Sequence, residues 1–489
     1  MGKATSGLRS ELWTGKVYSG GWQTASGGAY GIAEPATGIA LGQIGQANAA
    51  DVRGAAVRAK AAQPAWAAMP LGERAAIFRK AAAFLEAERE AIVEWIVRET
   101  GSVPAKAGFE LAVTIGEIHE AGAMITQPRG LVLPADHGMT SLVRRMPHGV
   151  VGVIAPFNFP MILSIRAVAP ALATGNAVVL KPDPQTPVSG GMIFARAFEE
   201  AGLPADLLHV LPGGAAAGEA LVIDPDVAMI CFTGSTSVGR HIGQLAGQHL
   251  KKVSLELGGK NSLIILADAD VDLAVSNAAW GSFLHQGQIC MSTGRHLVHK
   301  DIAKEFIEKL AATADHLPVG DPFREQVALG PLINKKQLDR VASIVDDSVR
   351  SGARLRAGGK SKDLFYRATV LDEVAPGMRA FEEEIFGPVA PVTVFADEDE
   401  AIRLANATDY GLSAGIITRS PAHGLELAAQ LRTGMIHIND QTVADDPIVP
   451  FGGTGASGNG SRQGGPANWD EFTQWQWLTM KSAPPKYPF

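Results

Sequence analysis

From residue 149 onward, short apolar runs alternate with stretches of helix length: Val150-Val151-Gly152-Val153-Ile154, Ala177-Val178-Val179-Leu180, Leu207-Leu208-His209-Val210-Leu211 and residues 227–232. Runs that are apolar on both faces and separated by a helix's worth of chain do not suit hairpins. They predict strands of a parallel sheet covered by helices. A second series opens with residues 295–299, passes through a helix from Asp301, and reaches strand-like runs at 391–395 and 435–439. The expectation is an α/β protein with two lobes, and 489 residues of which 46% are hydrophobic can bury more than one core. Upstream, residues 51–69 and 71–100 carry apolar positions at helical spacing, with Asp51 as N-cap and Gly101 as stop. Residues 131–147 and 472–481 look like extended pieces outside both lobes, edges of the kind that pair with another subunit. The glycine-rich stretch 452–465 reads as a loop.

The 43 basic and 50 acidic residues give a net charge of -7. That leaves no basic excess for phosphate contacts, so no nucleic-acid partner is expected. The first thirty residues hold no apolar segment behind a positive start, and the apolar region 150–180 is broken by Pro156, Pro160, Pro170 and Gly175. No membrane span is expected, and a cytoplasmic location follows as an expectation. Two cysteines in so long a chain suit a reducing compartment. No metal site is called for.

Of the two cysteines, Cys231 sits inside the apolar run Val227-Ala228-Met229-Ile230-Cys231-Phe232 and reads as part of a buried strand. Cys290 follows a helix in Gln286-Gly287-Gln288-Ile289-Cys290, a placement that suits a nucleophilic thiol, although a free cysteine is more often a small buried hydrophobe. Asn158, in Pro156-Phe157-Asn158-Phe159-Pro160, closes the first strand at the edge where open α/β sheets place ligands. Its amide can donate to an oxyanion, or it fills a turn. Glu256 is bracketed by apolar residues and followed by Gly258 and Gly259; partial desolvation there makes a base, and a salt-bridged carboxylate is the alternative. The run from Phe232 to Gly239 passes from a strand into a helix start, where free N–H groups favour a diphosphate or simply make a turn. No Gly-x-Gly-x-x-Gly follows the first strand, so a dinucleotide must bind differently from the ordinary pattern.

Asn158, Lys181, the turn from Gly234 to Gly239, Glu256 with its glycines, Gly287 to Cys290, Glu384-Ile385-Phe386-Gly387-Pro388-Val389 and Pro450-Phe451-Gly452-Gly453 occur in one order and spacing. In these motifs the chain resembles the aldehyde dehydrogenase superfamily over nearly its whole length. The runs Pro156 to Pro160, Leu163-Ser164-Ile165-Arg166 and Lys181-Pro182-Asp183-Pro184 look most like bacterial benzaldehyde dehydrogenases. The resemblance implies two Rossmann-like α/β lobes with a small β oligomerisation extension: a dinucleotide-binding domain at 1–128 and 148–257, a catalytic domain at 258–456, and oligomerisation segments at 129–147 and 470–489. It implies a homodimer or homotetramer.

It also implies a reaction. Cys290 attacks the aldehyde, Asn158 and the Cys290 N–H hold the oxyanion of the thiohemiacetal, hydride leaves to NAD or NADP, and Glu256 activates the water that hydrolyses the thioester. Ile154, Pro156, Phe157, Lys181, Gly234, Ser235, Glu384 and Phe386 are then the cofactor-binding residues. Phe159, Ile162, Arg166, Trp280, Ile289 and Phe451 are the substrate-binding ones, and the apolar members suit an aromatic aldehyde better than a charged semialdehyde. Arg166 either points into the tunnel, to bind a distal acid or phenol, or pairs with an acidic neighbour. His285 either lines the pocket or is a satisfied histidine on a helix surface. Pro184 stands where many NAD-preferring relatives carry a Glu, which opens the way to NADP. The stretch 457–463 lacks the Glu that many relatives place beside an Arg for proton relay. The rivals are a semialdehyde or aliphatic aldehyde dehydrogenase of the same family, including the acyl-CoA-forming type, and a non-redox thiol esterase or structural protein on this fold.

Overall fold

The computed structural model describes residues 7–489; residues 1–6, the start of the first expected segment, lie outside the described residues. The four apolar runs, joined by Lys252–Glu256 at the edge, form a parallel sheet in the order Lys252–Glu256, Met229–Thr233, Val150–Ile154, Ala177–Lys181, Leu208–Val210. Lys16–Ser19 and Trp22–Thr24 extend it in antiparallel fashion. Val150–Ile154 precedes both its neighbours in the chain, so the winding reverses direction beside it. At such a reversal the connections leave on opposite faces and open a crevice at the carboxyl ends of the strands. Asn158 and Gly234 follow the two strands that border that crevice.

The second sheet runs Arg354–Ala357, Thr369–Asp372, Val389–Phe395, Thr293–His299, Asn261–Ile265, Ser413–Ile417, Met435–Ile438, parallel except at its first pair. Each of its faces has its own apolar core. Glu256 ends the last strand of the first sheet and Asn261 opens the second, with Leu257-Gly258-Gly259-Lys260 between them. A chain that leaves one parallel sheet and enters another turns the carboxyl edge of the first toward the amino edge of the second. The catalytic candidates sit in that seam.

A third, antiparallel sheet joins Gly130–Leu133, Met139–Pro147 and Thr473–Lys481. It leaves Leu131, Val132, Trp475, Trp477 and Met480 exposed. Among the described residues no helix is long and apolar enough to cross a membrane.

Local signals differ from the sequence reading at one helix start. Ala49–Ala68 is capped by Asn48, whose side chain accepts the Ala50 N–H at 2.8 Å and the Asp51 N–H at 3.2 Å. Asp51 closes the reciprocal bond to the Asn48 N–H at 3.0 Å, so the expected cap is the third helical residue of a capping box. Residues 71–100 form two helices, Leu71–Ala87 and Arg89–Thr100, and Gly101 ends the second with φ +69°. Asn48→Ala should lower the unfolding free energy by about 1 kcal/mol in urea titration, and Asn48→Asp by less; equal effects would remove the capping assignment.

Candidate active site

The helix Val271–Phe283 stops just before His285, Gln286 and Gly287, three successive residues with φ of 49°, 56° and 66°. Left-handed backbone at a non-glycine residue costs roughly 1–2 kcal/mol, so the bend must be held from outside. Gln286 Nε2 donates to the Gly101 and Pro331 carbonyls at 3.0 and 2.8 Å, and Gln288 Oε1 accepts the Ile333 N–H at 2.9 Å. A Cβ at position 287 would run into the Gly387 carbonyl, which explains a glycine there. Beyond the bend, Asn261 Nδ2 donates to the carbonyls of Cys290 and Ser292 at 2.9 and 2.8 Å, while its Oδ1 accepts the Ser413 N–H at 3.0 Å. The Cys290 loop is thereby pinned to the amino edge of the second sheet.

From the opposite edge, Asn158 reaches across and donates from Nδ2 to the Gln288 carbonyl at 2.9 Å. Among the described residues, no protein acceptor takes the Cys290 N–H. Cys290 is half-buried, and burial, with the Glu384 and Glu256 carboxylates close by, pushes its thiol up to about 12. Burial also holds Glu256 well above the usual carboxylate range, against the opposing pull of the Arg462 and Arg166 guanidiniums. At rest the thiol is therefore neutral. Cys231 is fully buried in its strand, as the apolar run implies.

A cavity of about 1340 Å³ opens on Cys290. All six residues expected to bind substrate line it: Phe159, Ile162, Arg166, Trp280, Ile289 and Phe451. The crevice of the first sheet carries six of the residues expected to bind the cofactor, and the segment before Val389–Phe395 of the second sheet brings Glu384 and Phe386. Ile154, Pro156 and Phe157 follow its central strand, and Lys181 ends the next, its ammonium on the Pro182 and Gly213 carbonyls at 3.1 Å each. Gly234 and Ser235 lead into the helix Thr236–Gln248, whose start has no side-chain cap. Glu384 accepts the Gly259 N–H at 3.0 Å, and only a glycine at 258 leaves room for its carboxylate. Phe386, with φ +56°, meets the Phe157 ring edge-on at 6.0 Å. An uncapped helix start after a strand at the switch point fits a diphosphate, and the Glu384 carboxylate brought in over Gly258 fits hydroxyl donors farther along an elongated ligand.

Residues 22–478 match the model of the aldehyde dehydrogenase family. The chain belongs to the aldehyde dehydrogenase family. It is 55% identical to a vanillin dehydrogenase of an Amycolatopsis species, over 99% of each chain, and 53% identical to a benzaldehyde dehydrogenase [NAD(+)] of Pseudomonas putida, over 98% of each. A solved salicylaldehyde dehydrogenase from Pseudomonas putida G7, complexed with salicylaldehyde, superposes with a TM-score of 0.94 at 35% identity, covering 97% of this chain and 99% of that one.

In this aldehyde dehydrogenase Arg166 meets both conditions set for it. It faces the cavity, stacked over the Phe451 ring at 4.5 Å, and it pairs with Glu117 at 3.2 Å and with both oxygens of Asp445. His285 is a correction. It lies neither on a helix surface nor on the cavity wall but fully buried in the left-handed bend, edge-on to Phe159 at 5.6 Å. The place without a relay Glu holds Gln463, whose amide donates to Ser254 Oγ at 2.9 Å, while Arg462 binds the Gly453 and Ser461 carbonyls at 2.9 and 2.8 Å.

The sequence reading missed Lys106, Phe109, Met291, Val443 and Asp445, which line the same cavity. For Lys106 a signal existed: Lys106, Glu110 and Glu117 fall on the buried face of the helix Pro104–Met124, where charge is out of place. Asp445, on a loop, carried none. With the thiol displaced upward, alkylation of Cys290 by iodoacetamide in the cofactor-free dehydrogenase should keep accelerating above pH 10; a plateau near pH 8.5, the free-thiol value, would contradict this environment.

Proposed function

We propose that this dehydrogenase oxidises aromatic aldehydes of the benzaldehyde class to carboxylic acids with NAD or NADP, through a thiohemiacetal and then a thioester on Cys290. The observation that carries the reading is the chemistry of the cavity wall. Aromatic and aliphatic side chains dominate it, and its three cations are already ion-paired: Arg166 with Glu117 and Asp445, Lys106 with Glu110, Lys309 with Asp272 and Glu305. A semialdehyde would need an unpaired cation for its distal carboxylate; a benzene ring needs flat apolar walls. The names carried by the similar proteins, vanillin, benzaldehyde and salicylaldehyde dehydrogenase, support the same class.

The chain's own groups account for the steps. Cys290 Sγ loses its proton and attacks the carbonyl carbon. The oxygen that becomes negative is met by the Cys290 N–H and by the second N–H of the Asn158 amide, whose first is committed to Gln288. A bound nicotinamide dinucleotide would supply the hydride acceptor, with Lys181 at its adenosine ribose, Ser235 at its diphosphate, and Glu384 and Phe386 at its nicotinamide end. Glu256, with Gly452 pressed against its carboxylate and no good hydrogen bond to either oxygen, is free to take a proton from the water that cleaves the thioester. Because burial raises Glu256, its base form develops only as pH rises past the ordinary carboxylate range, and deacylation should accelerate with pH there. Residues 1–128 and 148–257 form the dinucleotide-binding domain in this reading, 258–456 the catalytic domain. Segments 129–147 and 470–489, with their exposed apolar face, join subunits in a homodimer or homotetramer.

Initial rates with benzaldehyde, ring-hydroxylated, aliphatic and carboxylated aldehydes should favour the aryl members. A preference for succinic semialdehyde would overturn the reading, and a requirement for coenzyme A would favour the acylating rival. Asp183 spends its Oδ1 on the Gln185 N–H at 2.8 Å, and Pro184 brings no carboxylate, so NADP should serve within a modest factor of NAD in the same assays. Strict exclusion of NADP would remove that part. Glu256→Gln should slow deacylation far more than acylation in rapid-mixing kinetics, and equal slowing of both would refute its role as base.

A further inference from the structure

The helix Pro104–Met124 carries an ion pair that the mechanism above does not use. Lys106 and Glu110, one turn apart and wholly buried, meet at 2.5 Å. Lys106 Nζ also donates to the Asn158 carbonyl at 2.7 Å and lies 4.0 Å above the centre of the Phe159 ring. Glu110 turns its other oxygen to the Met161 N–H at 2.8 Å, near the start of Pro160–Ala173, a helix whose N-cap, Phe159, has no capping side chain. The pair thus grips the main chain on both sides of Phe159, directly behind the Asn158 amide, which bonds the Gln288 carbonyl and lines the same cavity as Cys290. Two charges taken out of water seldom stabilise a fold more than apolar residues of the same volume would. What they add is fixed geometry.

We propose that Lys106 and Glu110 are the positioning pair of the oxyanion site, setting the Asn158 main chain so that its amide meets the charge developing on a carbonyl attached to Cys290. The inference rests on the roles given above to Cys290 and Asn158. The pair touches no reacting atom. It fixes where a donor stands, and an error of about 1 Å in such a donor costs on the order of 100-fold in rate.

Two reactions of the same thiol separate the positioning role from a structural one. Acylation by 4-nitrophenyl acetate builds an oxyanion; alkylation by iodoacetamide does not. In the full-length enzyme, Lys106→Met and Glu110→Gln should slow the nitrophenolate burst roughly 10- to 100-fold, with alkylation within about twofold of the parent. In an Asn158→Ala background, Lys106→Met should add little, because the donor it positions is gone. A parental burst in Lys106→Met, an equal fall in alkylation, or full additivity with Asn158→Ala would each overturn the proposal. If Asn158→Ala itself leaves the burst unchanged, the oxyanion reading fails instead. Should the single variants fold poorly, Lys106→Met/Glu110→Leu refills the volume with apolar groups. It should unfold at or above the parental urea midpoint and still show the slow burst.

Discussion

One side chain joins the two halves of the chemistry. Asn261, at the start of the strand Asn261–Ile265, uses its amide to hold the Cys290 and Ser292 carbonyls and its oxygen to hold the Ser413 N–H, so the Cys290 loop and two neighbouring strands share one clamp. Glu256 ends the first sheet just upstream, and this short connection ties the position of the proposed base to that of the thiol. Asn158 closes the arrangement from the first sheet through Gln288. The three groups descend from different strands, yet none has freedom to move independently of the seam between the lobes.

That seam is largely buried and its cations are paired, which governs how the groups behave. The thiol and the Glu256 carboxyl are both pushed toward their neutral forms by burial, and the cations on the cavity wall are each matched by carboxylates. In such partly desolvated surroundings, the proposed oxyanion donors would act on charge as it develops more strongly than they would in water. The left-handed bend at 285–287 belongs to the same design: its conformational cost is met by buried amide bonds from Gln286 and Gln288, and its result is a half-buried sulfur on a rigid loop.

Much of this was legible in the residues. The apolar runs named both lobes because parallel strands buried on two faces have to be continuously hydrophobic, and all but one or two boundary residues of each run lie in strands. Cys290, Asn158 and Glu256 stood out as candidates because each breaks its local pattern (a thiol outside any strand, an amide at a strand end, an acid among leucines), but each pattern also allowed a plain structural reading, and the family resemblance supplied the roles. His285 misled, since a histidine following a helix looks like surface and only the third dimension folds Phe159 over it. Asp51 misled because a capping box offers two plausible caps and backbone geometry alone distinguishes them.

Strand periodicity and the helix stop at Gly101 are local properties, written in neighbouring residues. Which groups meet is not local. That Arg166 faces the cavity and is also neutralised, that Lys106 stands behind Asn158, and that Gln463 turns toward Ser254 all depend on contacts between segments far apart in the chain. Spacing along one segment cannot specify a partner on another; the packing of the two sheets edge to edge does.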